Sequence, residues 1–140
     1  MCIRDRGYGD ASYAHSLLKQ FKGEWVYNTD WKMINGHPKK AGWIKAIQEA
    51  QQTVQKGLKL DCPILVMSSN KSFPETETWH EEYMTSDIVL DVQDIQKYGE
   101  KLGDKVTRDT IPNGIHDLIL SQKPYRNDAY QTIFEWLKKQ

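Results

Sequence analysis

The run Ile64-Leu65-Val66-Met67 constrains this chain more than any other stretch. It is bounded by Pro63 on one side and by Ser68-Ser69-Asn70 on the other, with no alternation of apolar and polar residues. An unbroken apolar run of strand length, punctuated in this way, predicts a central strand covered on both faces. Such cover has to come from helices.

The helices are legible as periodicity. In "AGWIKAIQEAQQTVQKG" (41–57), Trp43, Ile47, Ala50 and Val54 share one face and a glycine closes the element. Val92, Ile95 and Leu102 mark a helix over 92–103, stopped by Gly103. Residues 105–111 alternate as a second, weaker strand. Residues 124–139 predict a last helix, with Ala129, Ile133 and Leu137 on one stripe flanked by Tyr130 and Phe134. Near the start, Tyr13, Leu17 and Phe21 at i, i+4 and i+8 predict a helix over 10–21 closed by Gly23. Residues 23–40 differ, because Trp25, Tyr27 and Trp31 stand among polar residues and turn signals. That composition predicts a surface that packs over something, or that a ligand packs into. Residues 70–87 show no period and are expected to form a long polar loop.

From residue 60 the order is strand, loop, helix, strand, loop, helix. This alternation predicts an α/β fold with parallel strands flanked by helices. Crossovers of one hand bring the carboxyl ends of both strands to one edge, where catalytic residues of open sheets gather. Asp87 lies in the loop after the first strand and His116 in the loop after the second. The topology is expected to bring this carboxylate and this imidazole together. An acid beside a histidine makes two members of a hydrolytic triad, in which the acid orients the ring and stabilises the imidazolium. A histidine alone in such a loop is more often a capping or solvated residue, so the pairing carries the inference.

The segments "CPILVMSS", "SDIVLDVQDI", "IPNGIHDLILS" and "AYQTIFEWLKK" together resemble the last strands and closing helix of an α/β-hydrolase. The similarity is to the serine aminopeptidase or lysophospholipase-like branch, and residues 10–57 are similar to its cap. The resemblance implies three regions. Residues 1–9 would be a non-native or disordered N-terminus, 10–57 a helical and irregular lid, and 58–140 the C-terminal half of the core. It implies Asp87 as acid and His116 as base in the cleavage of a small-molecule ester or lipid-like substrate through an acyl-enzyme. In many relatives the acid follows its strand within about four residues. Asn70 occupies that place here, so 71–86 is taken as an insertion, with Asp91 the next candidate and Asp117 a less suitable one.

The third member of the triad is missing from this pattern. A nucleophile elbow needs Gly-x-Ser-x-Gly, and none of the serines at 12, 16, 68, 69, 72, 86 and 121 has glycine two residues before or after it. The chain is therefore expected to be a C-terminal piece of a longer serine hydrolase, inactive alone, its first strand left with an open apolar edge. A non-catalytic α/β binding module is the alternative reading.

Other chemistries find little support. Nineteen basic residues balance nineteen acidic ones, which removes the electrostatic case for nucleic acid or an anionic membrane. No apolar run approaches the roughly 18 residues of a membrane span, and a cytoplasmic location is expected. "WHEEY" (79–83) has Met84 where a metalloprotease helix needs a second histidine, so a solvated loop is expected there. His15 and His37 are expected to be plain surface residues, and Cys62 a reduced core thiol. No metal or organic cofactor is implied, and no oligomeric state can be read.

Overall fold

In the computed structural model, which describes residues 11–36 and 38–140, strand β1 (Ile64–Ser69) pairs in parallel with β2 (Val106–Ile111). The register runs from Ile64 opposite Val106 to Ser69 opposite Ile111. Four α-helices accompany this sheet among the described residues: α1 (Ser12–Leu17), α2 (Ala41–Lys56), α3 (Val92–Gly99) and α4 (Lys123–Leu137). The fold is mixed α/β. The expected N-terminal region 1–9 and His37 lie outside the described residues. No helix among those described is long and apolar enough to cross a membrane.

Alternation along β2 assigns the helices to opposite faces. Arg108 points to α3, where it meets the Gln96 carbonyl at 3.3 Å and pairs with Glu100. The adjacent Thr107 accepts the indole N–H of Trp136 on α4 at 3.1 Å. Helix α3 comes closest at Gly99, where an added Cβ would lie 2.8 Å from a Val66 methyl. Helix α2 runs beyond α3, and Ile47, Ala50 and Val54 face Ile95, Tyr98 and Leu102 across a groove of about 420 Å³. Asp91 caps α3 by accepting the Gln93 N–H at 2.9 Å, and Pro124 opens α4, where its missing N–H costs nothing.

The buried residues concentrate at the carboxyl edge of the strands. Leu17, Tyr83, Ser86, Asp87, Ile111, Ile115 and Ser121 are all buried there, whereas Ile64 to Met67 are only half-buried. Full cover on both faces was expected for that run. Among the described residues β1 has β2 as its single strand neighbour, so much of its surface stays open.

Several local expectations are corrected. The first helix stops at Leu17 instead of reaching Phe21, because the returning chain takes its next hydrogen bonds. Trp25 N–H donates to the Leu17 carbonyl at 2.9 Å, and Lys19 N–H to the Trp25 carbonyl at 2.8 Å. Gly23 permits that return, since a Cβ there would lie 2.0 Å from the Leu17 backbone. Phe21 is left exposed with its ring centre 3.9 Å from that of a half-buried His15. The helix over 92–103 is α-helical only to Gly99 and ends in a 3-10 turn over Glu100–Leu102. Cys62 is exposed, because the strand begins two residues after it.

The 70–87 loop carries an aromatic cluster of its own, which overturns the solvated reading of 79–83. Tyr83 is fully buried, and its phenol accepts the Thr76 N–H at 2.8 Å and donates to the Thr78 carbonyl at 3.2 Å. Phe73, Trp79 and His80 surround its ring with centroids at 5.7, 5.4 and 5.6 Å. Two backbone bonds, Phe73 N–H to the Asp87 carbonyl and Asp87 N–H to the Lys71 carbonyl, each 3.0 Å, close the loop at its base.

Candidate active site

That closure delivers Asp87 to the sheet edge. Its Oδ1 accepts the Val89 and Leu90 N–H groups, each at 2.8 Å, and the residue is 2% exposed. The main chain thus fixes one oxygen and leaves Oδ2 to a side-chain partner.

The partner is His116. After β2, Pro112-Asn113-Gly114 turns the chain, with Asn113 in the left-handed region at φ 58° and Gly114 N–H donating to the Ile111 carbonyl at 3.1 Å. Asn113 N–H donates to the side-chain oxygen of Asn70 at 3.0 Å, which ties the turn to the end of β1. Ile115 N–H donates to Ser121 Oγ at 3.0 Å. Glycine suits position 114 because a Cβ there would lie 2.6 Å from a Leu118 methyl and 3.2 Å from the Ile111 carbonyl oxygen. The loop so held sets His116 Nδ1 2.9 Å from Asp87 Oδ2.

This geometry determines the tautomer. A carboxylate can only accept, so Nδ1 carries the proton and donates, and Nε2 is left with its lone pair. The described residues give Nε2 no hydrogen-bond partner, and the side chain is 27% exposed. Burial works against the imidazolium, but the hydrogen bond and charge of Asp87, joined by the charge of Asp117, outweigh it. Lys32 opposes them, and the net effect raises the His116 pKa above its ordinary value.

The other acid candidates are engaged elsewhere. Asp91 caps α3, Asn70 holds the Asn113 turn, and Asp117 accepts the phenol of Tyr13 and lies 3.6 Å from Lys32 Nζ. No serine hydroxyl meets the imidazole among the described residues. Ser68, Ser72, Ser121 and Ser16 bond within their own surroundings, and Ser86 Oγ is buried without a partner. No cluster of three or more metal-ligating side chains occurs among the described residues.

Residues 12–33 pack beside this pair. Tyr13 sets its ring edge-on to His116, with centroids 6.0 Å apart at 77°. Trp25 donates its indole N–H to the Leu120 carbonyl at 2.7 Å. Trp25, Tyr27, Trp31, Lys32 and Leu120 line a cleft of about 290 Å³ next to Asp117. The larger groove between α2 and α3 touches neither Asp87 nor His116. Tyr13, Lys32 and Asn70 are the site residues that pattern reading did not find. Tyr13 was expected only as part of a helix face, and its contact with Asp117 spans 104 residues, beyond any local signal.

Comparison of the chain with protein-family models, with curated proteins and with solved structures finds no match.

Proposed function

We propose that Asp87 and His116 are the acid and the general base of a serine-type ester hydrolase, and that its nucleophile lies on a segment beyond these 140 residues. The observation that carries the reading is the 2.9 Å contact between Asp87 Oδ2 and His116 Nδ1, with Oδ1 already held by two backbone N–H groups. A buried, doubly anchored carboxylate fixes the ring and leaves Nε2 free to accept a proton.

In this reading Nε2 takes the proton of a serine hydroxyl as that oxygen attacks the ester carbonyl. Asp87 stabilises the imidazolium so formed without taking its proton. The imidazolium then protonates the departing alcohol, leaving an acyl-enzyme. His116 next deprotonates water for the second half-reaction. The 58–140 region is the C-terminal half of an α/β-hydrolase core, and 10–57 supplies its lid. The aromatic cleft formed by Trp25, Tyr27 and Trp31 beside the dyad suits the apolar portion of a small ester or lipid-like substrate. The exposed, free thiol of Cys62 suits a cytoplasmic setting.

The test is to recover the coding sequence upstream and assay the whole product on short-chain nitrophenyl esters. Turnover that His116→Ala lowers by roughly 10³-fold or more is expected, with none from the 140-residue chain alone. An upstream sequence without Gly-x-Ser-x-Gly, or activity indifferent to His116→Ala, refutes it.

A further inference from the structure

We propose that Asp117, held by Tyr13 and Lys32, is a positioning carboxylate for the Asp87–His116 pair, through which α1 and the 25–33 segment adjust the imidazole. The assignment extends the hydrolase reading in that the ring's basicity matters to catalysis, but the contacts stand independently of it.

Asp117 directly follows His116, yet its carboxylate does not compete for Nδ1. Its Oδ2 accepts the Tyr13 phenol and lies 3.6 Å from Lys32 Nζ. Tyr13 therefore acts twice, packing its ring edge on the imidazole and fixing the neighbouring carboxylate. Burial first, then the hydrogen bond and charge of Asp117, raise the Tyr13 pKa far above the usual phenol range. The phenol stays protonated and donates throughout the working pH range. Lys32 completes the cluster, with its ammonium 5.2 Å from the centre of the Tyr13 ring and 5.7 Å from that of Tyr27.

Four groups thus set the electrostatics of His116. Asp87 comes from the loop before α3, Asp117 from the histidine's own loop, Tyr13 from α1 and Lys32 from the aromatic segment. Asp117 favours the imidazolium and Lys32 disfavours it. The two act in opposition through a contact that joins distant parts of the chain. Displacing the 25–33 segment would withdraw the ammonium and leave the carboxylate acting on the ring alone. The position of that segment is in this way transmitted to the base.

The experiment is an NMR titration of the His116 ring in the isotopically labelled 140-residue chain, with amide spectra as the check of fold. Asp117→Asn is expected to shift the midpoint down and Lys32→Met to shift it up. Tyr13→Phe keeps the ring packing and is expected to move the midpoint by freeing Asp117. A role confined to packing would alter stability and leave all three midpoints at the wild-type value. A folded Asp117→Asn with an unmoved midpoint, or a downward shift in Lys32→Met, overturns the proposal. Either result leaves the hydrolase reading intact, since that rests on Asp87. Failure of the ester assay conversely leaves the titration result standing.

Discussion

Asn70, the first residue after β1, accepts the backbone N–H of Asn113 through its side-chain oxygen at 3.0 Å, and so binds the end of one strand to the histidine loop of the other. An amide serves there as well as a carboxylate, because the only demand is an acceptor. Asn70→Ala is expected to cost about 1 kcal/mol, the usual worth of one such bond. It should also broaden the Nδ1–H resonance of His116, while Asn70→Asp, which keeps the acceptor, should leave that resonance sharp. Proton NMR and urea unfolding measure both effects.

Stability should depend on pH through His116. Its folded-state pKa is raised, so the folded chain binds its proton more tightly than the unfolded chain does. The stabilisation is complete below the ordinary histidine value of about 6.5 and is lost as pH rises through the folded-state pKa. Urea midpoints should fall across that window, and His116→Gln should flatten the fall. An identical slope in the variant would contradict the linkage.

Gly99 sets the spacing between α3 and β1. Alanine would gain up to about 1 kcal/mol of helix propensity, but its Cβ would lie 2.8 and 3.3 Å from the two Val66 methyl groups. The overlap should win, for a net loss of about 1–3 kcal/mol. In a Val66→Ala background the same substitution should cost measurably less, and a double-mutant cycle reads the difference.

Ser86 sits fully buried beside the acid with its hydroxyl unpartnered. Removing an unsatisfied buried hydroxyl relieves a desolvation cost, so Ser86→Ala should be neutral or stabilising by up to about 1 kcal/mol. Thermal or urea unfolding decides it. A clear loss of stability would show that the hydroxyl is satisfied in solution.

The parallel strands and the helices on the two sheet faces were legible because each rests on a local pattern. The unbroken Ile64–Met67 run and the stripe through Ala129 and Ile133 need no knowledge of the rest of the chain. The approach of Asp87 to His116 was legible for a different reason, since parallel topology alone collects loops at one edge. The end of α1 was not legible, because a hydrogen bond from Trp25 decides it, and helical periodicity carries no record of a returning strand. The burial of Tyr83 was hidden for a similar reason. An irregular loop that packs its aromatic residues on one another has no period to detect. The cluster of Tyr13, Lys32 and Asp117 joins residues too far apart for spacing to signal, although all three bear on the base.

The central claim is that His116 and Asp87 serve a serine on another segment, and labelling of the upstream-extended product by a fluorophosphonate probe tests it most directly. Mass spectrometry of the adduct should place it on a serine outside these 140 residues, with labelling lost in His116→Ala and strongly reduced in Asp87→Asn. An adduct on Ser12, Ser16, Ser68, Ser69, Ser72, Ser86 or Ser121, or labelling unaffected by both substitutions, would contradict it.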